Sequence, residues 1–512
     1  MLVKINSFAL LGIEVVRVTV EVNVASRGFP SFDIVGMPNK SIAESRERVK
    51  TAIQNSGMDF PSTRKIIVNL APADIPKEGT LYDLSIAVGI ISIVKGFTVP
   101  QNGLYFGELS LDGSVRHTKG AFLAALHSKD TDIRNLFLPC DSAGEASVVN
   151  GINVYGVKSI NELVNHLSGV KLLNIHSKGS QTLSNALGIE TRQSYVLNEV
   201  IGQMQAKRAL EVAAAGGHNI LLVGSPGVGK TMLAKAFSRL LPPLSPEESY
   251  EVTRIYSVAG YIPPGGSLVT KRPFRSPHHT VSYAGFIGGG NPVKPGEISL
   301  SHRGVLFMDE ITEFPRNILE GLRQPMEDGT ITIARSGRII SLPSRFMLFA
   351  ACNPCPCGYL WHPKNKCSCS PAEVEKYKRK LSGPILDRID ILCRMRDLED
   401  SLVHVSSVKK IQDSDSNSLQ RIEIARNCQM KRFEKEGITF NSEMNNRQIE
   451  NYCSLHVETE NLLSRAVDFY GLSARAYFKG IKVARTIADL EGSDSIKPSH
   501  IAESLQFKTT EI

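Results

Sequence analysis

The stretch NILLVGSPGVGKT, residues 219–231, decides the expected fold of this chain. It begins with a short apolar run, continues into a glycine-rich loop that ends in Lys230 and Thr231, and leads into a helical pattern. Strand, loop and helix in this order are the context of a phosphate-binding loop, whose backbone N–H groups turn inward around phosphate oxygens. An ordinary glycine turn is the alternative, and the flanking strand and helix patterns disfavour it.

The loop itself is predicted to bind the nucleotide, with Lys230 on the β and γ phosphates and Thr231 on Mg²⁺. Its residues are Gly224, Ser225, Pro226, Gly227, Val228, Gly229, Lys230 and Thr231. Residues 304–310, GVLFMDE, read as a buried strand that ends in acids, although such a run alone is more often an ordinary strand end. We expect Asp309 to hold the Mg²⁺ shell and Glu310 to polarise the attacking water. ATP hydrolysis follows, and no Asn-Lys-x-Asp motif of a switch GTPase is present.

Length and composition set limits on the rest of the chain. Its 512 residues are more than one hydrophobic core serves, and 42% hydrophobic with 21% charged residues excludes a mainly disordered or fibrous protein. The net charge of +8 suits a polyanionic partner without requiring one. Because Lys4 and Glu14 interrupt the apolar start and no run has the length of a membrane span, we expect a cytoplasmic protein with no membrane partner.

Pattern changes along the chain predict four segments. Residues 1–168 read as an α+β domain, residues 169–195 as a polar linker, residues 196–395 as a parallel sheet flanked by helices, and residues 396–512, with a polar break at 413–418, as a helical part. The clearest predicted strands are 15–24, 65–70, 136–139, 220–223, 305–308 and 346–351, and the clearest helices are 41–57, 84–93, 458–470 and 474–490.

Five of the nine cysteines lie close together, between Cys352 and Cys369. Two Cys-x-Cys pairs can surround one Zn²⁺ tetrahedrally, and their members are Cys355, Cys357, Cys367 and Cys369. Free loop thiols are the alternative, because Cys-x-Cys is less usual than Cys-x-x-Cys; His362 is either a substitute ligand or a surface imidazole. We expect Cys352 to be buried in its strand and the isolated cysteines to be buried as small apolar residues, namely Cys140, Cys393, Cys428 and Cys453.

Three further motifs resemble those of a known family. Asn353, after the strand at 347–351, resembles the sensor-1 asparagine of AAA+ ATPases. Residues 382–391, SGPILDRIDI, resemble their arginine-finger segment with Arg388, and GLSARA at 471–476 makes Arg475 the sensor-2 arginine. Together with PADIPKEG at 72–79, RSPHHTVSYAGFIGGG at 275–290 and PGEISLSHRGVLFMDE at 295–310, the chain resembles the YifB/ComM family of Mg-chelatase-like AAA+ ATPases over almost its whole length.

The resemblance implies an α/β fold: a P-loop AAA+ core, a Lon-protease-like (ribosomal S5 domain 2-like) α+β N-terminal domain and a C-terminal helical lid. It also implies a ring, usually a homohexamer, with ATP bound between subunits. Arg388 would then reach into the neighbour's site, while Arg475 would contact the γ-phosphate from the lid. An Arg guanidinium stabilises charge on γ-oxygens through paired hydrogen bonds, although for Arg388 a salt bridge to Asp387 or Asp390 is the alternative.

The N-terminal resemblance lacks the protease's catalytic dyad. The position of the protease serine holds Leu81, and the position of its lysine holds Phe122. Ser85 and Lys119 lie nearby, but as substitutes they would have to meet at hydrogen-bond distance. Peptide hydrolysis therefore has no mechanism in this chain.

Two insertions that point into the ring channel of related ATPases are candidate DNA contacts. Residues 272–290 interleave basic and aromatic residues, and residues 327–338 read as a hairpin that turns near 328–329 or 336–337. The predicted contacts are Arg275, His278, His279 and Arg335, with bases stacking on the histidines, Phe274, Tyr283 and Phe286. The alternative is that the histidines cap a loop and the aromatic residues fill the core.

The resemblance points to an ATP-hydrolysing ring motor on single-stranded or branched DNA, a helicase or branch migration factor in recombination during natural transformation. The alternative is an AAA+ protein-remodelling or chelatase-like ATPase that acts on a protein partner. A nonhydrolysing scaffold is opposed by Glu310.

Overall fold

A computed structural model describes residues 1–25, 29–37, 40–77, 79–176, 200, 202–290, 293–335, 338–381, 383–396 and 412–508. The strands are β1 Leu2–Leu11, β2 Glu14–Ala25, β3 Ser31–Val35, β4 Lys65–Ala71, β5 Gly103–Tyr105, β6 Glu108–Leu109, β7 Val115–Arg116, β8 Asn135–Pro139, β9 Asn153–Val157, β10 Ile220–Val223, β11 Phe274–Arg275, β12 Gly288–Gly289, β13 Lys294–Pro295, β14 Val305–Met308, β15 Thr330–Arg335, β16 Arg338–Pro343, β17 Met347–Cys352 and β18 Ile391–Arg394.

The helices are α1 Lys40–Asn55, α2 Asp83–Lys95, α3 Ala121–Lys129, α4 Cys140–Ala146, α5 Ile160–Leu167, α6 Met204–Gly216, α7 Lys230–Leu240, α8 Pro246–Ala259, α9 Tyr283–Ile287, α10 Glu297–Leu300, α11 Arg316–Gly321, α12 Arg323–Asp328, α13 Pro371–Lys378, α14 Gly383–Leu386, α15 Gln412–Arg432, α16 Asn446–Tyr452, α17 Val457–Tyr470, α18 Ala474–Leu490 and α19 Pro498–Gln506. In the part of the chain that the structure describes, no helix is both long and apolar enough to cross a membrane.

The N-terminal part is built on a mixed sheet with the strand order β3-β4-β2-β1-β5-β8-β9. The long antiparallel hairpin of β1 and β2 forms its centre, and alternate residues of β2 are buried, as a half-buried strand requires. Helix α2 packs on this face and is apolar along almost its whole length, because it lies in the core between β1, β2 and α1. This part is an α+β unit, as the sequence predicts.

The second sheet is parallel throughout, in the order β11-β14-β17-β10-β18. Its central strands β10, β14 and β17 are fully buried, which matches their continuous apolar runs and the helices that cover both faces. Since all strands run the same way, their carboxyl ends share one edge and their amino ends share the other. The carboxyl edge and the amino edge carry different groups of side chains.

Within residues 412–508, the C-terminal part consists of helices, a 3-10 turn at Asn441–Glu443 and an isolated bridge between Leu455 and Ile496, and it packs on α6 through α15 and α18. The fold class predicted from the sequence is therefore confirmed: an α/β AAA+ core with an α+β part before it and a helical part after it. The polar break predicted at residues 413–418 is wrong, because these residues lie in the first turns of α15. Polar residues indicate exposure to water, and they do not by themselves end a helix. Residues 177–194, the polar stretch of the linker, lie outside the described residues.

The N-terminal part contacts the core through α3, α4 and α8. The Glu145 carboxylate is buried and accepts hydrogen bonds from Ser257 Oγ and from the Phe122 amide. The Phe122 ring lies 5.6 Å from the Tyr250 ring between centroids. Burial raises the pKa of Glu145 and these hydrogen bonds lower it, with burial the larger effect. These contacts form the joint between the N-terminal part and the core.

Candidate nucleotide site and arginine cluster

The predicted phosphate loop lies between the end of β10 and the start of α7. Gly227 and Gly229 have φ angles of 83° and 95°, the left-handed region that glycine adopts at little cost. A Cβ built on either glycine would meet no heavy atom within 4 Å. The loop therefore has the turned backbone and the open side that a row of phosphate oxygens requires.

Lys230 lies at the start of α7 and is buried. Its Nζ donates hydrogen bonds to the carbonyls of Gly224 and Ser225, at 2.6 and 3.0 Å, and to Asn353 Oδ1 at 2.9 Å. These three acceptors use all three protons of the ammonium group. The cation is thus held beside the loop, next to the asparagine predicted as sensor 1, by groups that a phosphate would replace.

Thr231 and Asp309 lie in contact, with 2.8 Å between Thr231 Oγ1 and Asp309 Oδ2. A hydroxyl and a carboxylate are the oxygen ligands that Mg²⁺ uses at phosphate sites, so the residues fit that ion. Glu310 follows in the left-handed region, at φ 48°, and is exposed. The structure brings Lys230, Thr231, Asp309, Glu310 and Asn353 to the carboxyl edge of the sheet.

Arg388 lies at the opposite edge, beside the amino ends of β10 and β18. The Asn219 side-chain amide donates to the Arg388 carbonyl at 3.1 Å, immediately before β10 begins. Strands of four residues separate the two edges by roughly 13 Å, given about 3.3 Å per residue. Arg388 therefore lies at the far edge of the sheet from the phosphate loop of its own chain.

The partner of Arg388 is Glu327, at 2.5 Å, and not Asp387 or Asp390 as the salt-bridge alternative supposed. Asp390 accepts a hydrogen bond from the Asn219 amide at 3.0 Å and pairs with Lys479 at 2.7 Å. The Asp390 carboxylate is therefore already paired with Lys479 of the lid and with the backbone just before β10. The guanidinium is mostly buried, with 12% of its side chain exposed.

Arg475 joins the same cluster, because its terminal nitrogen lies 2.7 Å from Oε1 of Glu327, the oxygen that also contacts Arg388. The hydrogen bond from Arg388 is the main cause of a lowered pKa at Glu327. The cluster borders a cavity of 710 Å³ between the core and the lid. Arg475 therefore lies beside Arg388 and away from the phosphate loop of its own chain. The resemblance instead implies that Arg475 contacts a γ-phosphate from the lid, separately from Arg388.

The four cysteines predicted to bind zinc lie together, all with sulfur atoms within 4.8 Å of one another. The Sγ atoms of Cys355, Cys357 and Cys367 are 3.4 to 3.7 Å apart. Four sulfurs at about 2.3 Å from a tetrahedral Zn²⁺ are separated by about 3.8 Å, so the cluster fits the ion. A hydrogen bond from the Tyr359 amide is the main cause of a lowered pKa at Cys357, which favours the thiolate that zinc binds.

The cysteine loop also packs on the phosphate loop. A Cβ built on Gly358 would lie 2.6 Å from Pro226 Cδ and 3.9 Å from Asn353 Cγ, so only a glycine fits there. Asn353 itself precedes Cys355 by two residues. Folding of the cysteine loop therefore helps to position both the phosphate loop and the asparagine that contacts Lys230.

His362 is a loop residue rather than a ligand of the sulfur cluster, because its Nδ1 accepts hydrogen bonds from the amides of Lys364 and Asn365. Cys352 is buried in β17, as predicted, and burial raises its pKa to about 12. Cys393 and Cys453 are buried, whereas Cys140 is only partly buried and Cys428 is exposed. The prediction that Cys428 fills core is wrong, since it lies on the solvent side of α15.

The predicted DNA contacts in residues 272–290 have different surroundings. Arg275 forms a bidentate ion pair with Glu297, both at 2.7 Å, so its guanidinium is held inside the chain. His278 is exposed, and its ring lies 4.0 Å from that of His279. Phe286 is completely buried, which corrects the idea that it stacks on a base. Tyr283 is 49% exposed, and Phe274 packs against Phe307 of the core. The two histidines and Tyr283 remain accessible.

The predicted hairpin consists of β15 and β16, with Arg335 opposite Arg338. The turn at 336–337 and the side chain of Arg335 lie outside the described residues, and Gly329 ends α12 instead of forming the turn. A Cβ on Gly288 would lie 2.9 Å from Ile333 Cδ1, so the hairpin packs on the other insertion. On its far strand Ile339 is 77% exposed.

The former protease positions hold apolar residues in packed surroundings. Leu81 packs against the N-terminal core, and Phe122 is fully buried at the joint with Tyr250. Ser85 is buried and donates to the Tyr105 carbonyl at 2.9 Å, whereas Lys119 is exposed. These two residues do not form a substitute dyad.

Sequence reasoning missed the part that Glu327 plays. In the sequence, Glu327 is one acidic residue at the start of the predicted hairpin segment. No motif indicates a carboxylate that contacts two arginines far apart in the chain. The contact between Gly358 and Pro226 was likewise missed. The only signal for it in the sequence is a glycine, Gly358, directly after the first Cys-x-Cys pair.

Comparison with known proteins gives three matches along the chain. Residues 196–403 match the family described as magnesium chelatase, subunit ChlI, residues 20–142 match subunit ChlI of Mg-chelatase, and residues 413–508 match the C-terminal part of magnesium chelatase subunit ChlI.

Individual relatives cover nearly the whole molecule. The YifB protein of Salmonella typhimurium is 38% identical over 510 residues, 98% of this chain and 96% of its own length. The competence protein ComM of Haemophilus influenzae is 38% identical over 512 residues, 98% of this chain and 97% of its own. The DNA replication licensing factor MCM4 of Oryza sativa is 26% identical over 309 residues, 59% of this chain and 33% of its own. With an AAA+ nucleotide site, three magnesium chelatase matches and full-length relatives of this kind, the chain belongs to the YifB/ComM family of Mg-chelatase-like AAA+ ATPases.

Proposed function

We propose that this protein is an ATP-hydrolysing ring motor that acts on DNA, as a helicase or branch migration factor for recombination intermediates during natural transformation. The observation that carries the proposal is the placement of two charge sets at opposite edges of one parallel sheet. The phosphate loop with Asp309 lies at one edge, and Arg388 with Arg475 lies at the other. Neither set is complete for hydrolysis alone, so a second copy must supply the missing half.

The chemistry at the carboxyl edge is phosphoryl transfer to water. The loop amides and Lys230 bind the β and γ phosphates, and Asn353 holds Lys230 on the side of the γ-phosphate. Thr231 and Asp309 would hold Mg²⁺, which would neutralise charge on the phosphate oxygens. Glu310 is exposed next to them and orients the attacking water as its base.

Arg388 and Arg475 complete the site of the neighbouring subunit. A guanidinium stabilises charge that develops on the γ-oxygens, and an arginine donated across an interface makes hydrolysis depend on assembly. Both arginines border one cavity at the amino edge, which supports a common role in trans. A closed ring is the assembly in which every subunit both receives and donates such a pair. A homohexamer is the proposed state.

DNA is the proposed substrate on three grounds. One relative is named a competence protein and another a DNA replication licensing factor. The accessible residues His278, His279 and Tyr283 provide flat rings for stacking, and the net charge of +8 favours a polyanion. The hairpin of β15 and β16 packs against the same segment, so the two elements form one surface.

Zinc is proposed as a structural ion held by Cys355, Cys357, Cys367 and Cys369. The four sulfur atoms lie within 4.8 Å of one another, and their loop packs on Pro226, so the ion would stabilise the phosphate loop without taking part in hydrolysis. The proposed segments are residues 1–168, 169–195, 196–395 and 396–512, of which the first has no protease dyad.

The experiment that tests this function measures ATP turnover without DNA and with single-stranded, duplex and four-way junction DNA, and then strand displacement and junction migration. Stimulation by DNA together with junction migration is the expected result. An ATP-active ring that neither binds DNA at low salt nor migrates a junction would contradict the motor. In that case the protein-remodelling or chelatase-like alternative, with a protein partner, takes its place.

A further inference from the structure

One carboxylate oxygen connects the two arginines that the proposed function places in the neighbour's site. Oε1 of Glu327 lies 2.5 Å from Arg388 and 2.7 Å from Arg475. Arg388 belongs to the core, between α14 and β18, and Arg475 belongs to the first turn of α18 in the lid. Glu327 is therefore a bridge between the core and the lid as well as a counter-ion for both cations.

Arg388 is held in a position from which it cannot reach another molecule. Only 12% of its side chain is exposed, and one terminal nitrogen donates to the Pro384 carbonyl. Its Nε is buried without a hydrogen-bond partner in the described part of the chain, which costs free energy. To contact a phosphate of a neighbour, the guanidinium has to leave Glu327 and move outward. Arg475 is already 58% exposed, and among the described residues Glu327 is the one polar partner that it has to give up.

Glu327 also lies at the base of the hairpin. It is the penultimate residue of α12, and Gly329 caps that helix with φ 65° before β15 begins at Thr330. The Ser344 amide donates to the Gly329 carbonyl at 2.8 Å and closes the base of the hairpin. Because these residues are joined by short, hydrogen-bonded backbone, a tilt of the hairpin moves the end of α12 and its carboxylate.

We propose that Glu327 is a positioning residue that holds Arg388 and Arg475 away from the neighbour's nucleotide until a ligand on the hairpin displaces it. This inference rests on the proposed role of the two arginines in trans. Displacement breaks the 2.5 and 2.7 Å contacts together, since one oxygen makes both. The freed guanidinium groups then pair with γ-phosphate oxygens, which carry more negative charge than one carboxylate. Glu327 thereby couples occupancy of the channel to hydrolysis.

The test compares Glu327→Gln with Glu320→Gln in assembled rings without DNA. Glu320 is a matched control, because it also pairs with two arginines, Arg316 and Arg323, and is as exposed as Glu327, but it lies one helix away. Loss of charge-assisted hydrogen bonds predicts that Glu327→Gln raises kcat by about ten-fold with little change in KM, while Glu320→Gln leaves kcat unchanged. Glu327→Asp keeps the charge but is shorter, and we expect a smaller rise.

A double variant tests the route of the effect. Glu327→Gln combined with Arg388→Ala should lose the gain, because the released group itself is then missing. If Glu327→Gln rings turn over ATP at or below the wild-type rate, or if the gain persists without Arg388, the inference is wrong. Thermal melting of each variant shows that it is folded.

Addition of single-stranded DNA separates this inference from the proposed function. If DNA raises wild-type turnover and raises that of Glu327→Gln much less, both stand. If DNA does not stimulate the wild type, the motor proposal fails, while the ratio of Glu327→Gln to wild type without DNA still decides the role of Glu327.

Discussion

Lys230 Nζ donates a 2.9 Å hydrogen bond to Asn353 Oδ1, which joins the loop after β10 to the residue after β17. The two strands are neighbours in register, with Val223 opposite Cys352, so their ends arrive side by side. The asparagine therefore lies against the lysine that the proposed function places on the phosphates. Movement of one strand end relative to the other changes this contact directly.

Replacement of Lys230 by Ala should abolish nucleotide binding, because the loop loses the only ammonium among its residues. Glu310→Gln, in contrast, should bind ATP normally and lose nearly all turnover, since the amide cannot act as base for water. Binding of a fluorescent nucleotide and phosphate release measure the two effects separately. Equal turnover of wild type and Glu310→Gln would remove Glu310 from the mechanism.

Mixed rings should recover activity that neither parent has. Arg388→Ala subunits keep an intact phosphate loop, and Lys230→Ala subunits keep the arginine pair, so each completes the site of the other. ATP turnover is measured across mixing ratios, with size exclusion to show assembly. Full activity of Arg388→Ala alone, and no recovery in any assembled mixture, would speak against a shared site.

Elemental analysis should find about one zinc ion per chain in protein purified without chelator. Cys355→Ser should lose the ion and weaken ATP binding by about 1 kcal/mol, because the loop that carries Gly358 no longer supports Pro226. Cys428→Ser is the control, since that cysteine is exposed on α15 and distant in sequence from the cluster. Four freely titratable thiols with no zinc would reject the site.

The double variant His278→Ala/His279→Ala should weaken single-stranded DNA binding by roughly 1–3 kcal/mol for each base that loses its stacking partner. Its nucleotide affinity serves as the folding control. Arg275→Ala should instead lower thermal stability, because it leaves Glu297 without its ion pair. DNA titrations at several salt concentrations measure both variants. Unchanged DNA affinity in the double variant would show that the two histidine rings cap their loop and do not contact DNA.

Acid should remove one identifiable contribution to stability. Burial raises the pKa of Glu251, but hydrogen bonds from His302 and Arg303 outweigh it and lower the value from 4.5 to about 2. Because the folded pKa is the lower one, the contribution is complete above about pH 4.5 and is lost as the pH falls toward 2.

We therefore expect Glu251→Gln to cost about 1 kcal/mol of unfolding free energy at neutral pH, a value reduced for the half-exposed carboxylate, and almost nothing near pH 2. Denaturant titrations of both proteins across this range measure the difference. Parallel curves at every pH would show that the ion pair contributes nothing.

The sequence predicts the strands of the core closely, and the reason lies in their burial. Strands 220–223 and 305–308 begin and end at the predicted residues. Each is an uninterrupted apolar run bounded by glycine, asparagine or an acid, which is the pattern of a strand buried on both faces of a parallel sheet. Helix 474–490 is also as predicted, with Ser473 as its cap. The phosphate loop and the cysteine cluster follow from spacing alone.

What the sequence does not predict depends on contacts between distant segments. Arg388 and Arg475 are 87 positions apart, and only the folded core and lid bring them to Glu327. Arg275 has the composition of a DNA contact, but Glu297 lies opposite it once α10 forms. Residues 413–418 have the composition of a linker and form helix, because burial of the later turns of α15 on α6 stabilises their whole helix.

The packing of Phe122 against Tyr250 limits what position 122 can hold. A lysine there would have to bury its ammonium group between the N-terminal part and α8, and the nearby carboxylate of Glu145 already accepts a hydrogen bond from Ser257. A serine at position 81 and a lysine at position 122 would therefore not by themselves supply the dyad that the protease resemblance lacks. The surface around position 122 joins the N-terminal part to the core, and a charged side chain there would require that joint to open first.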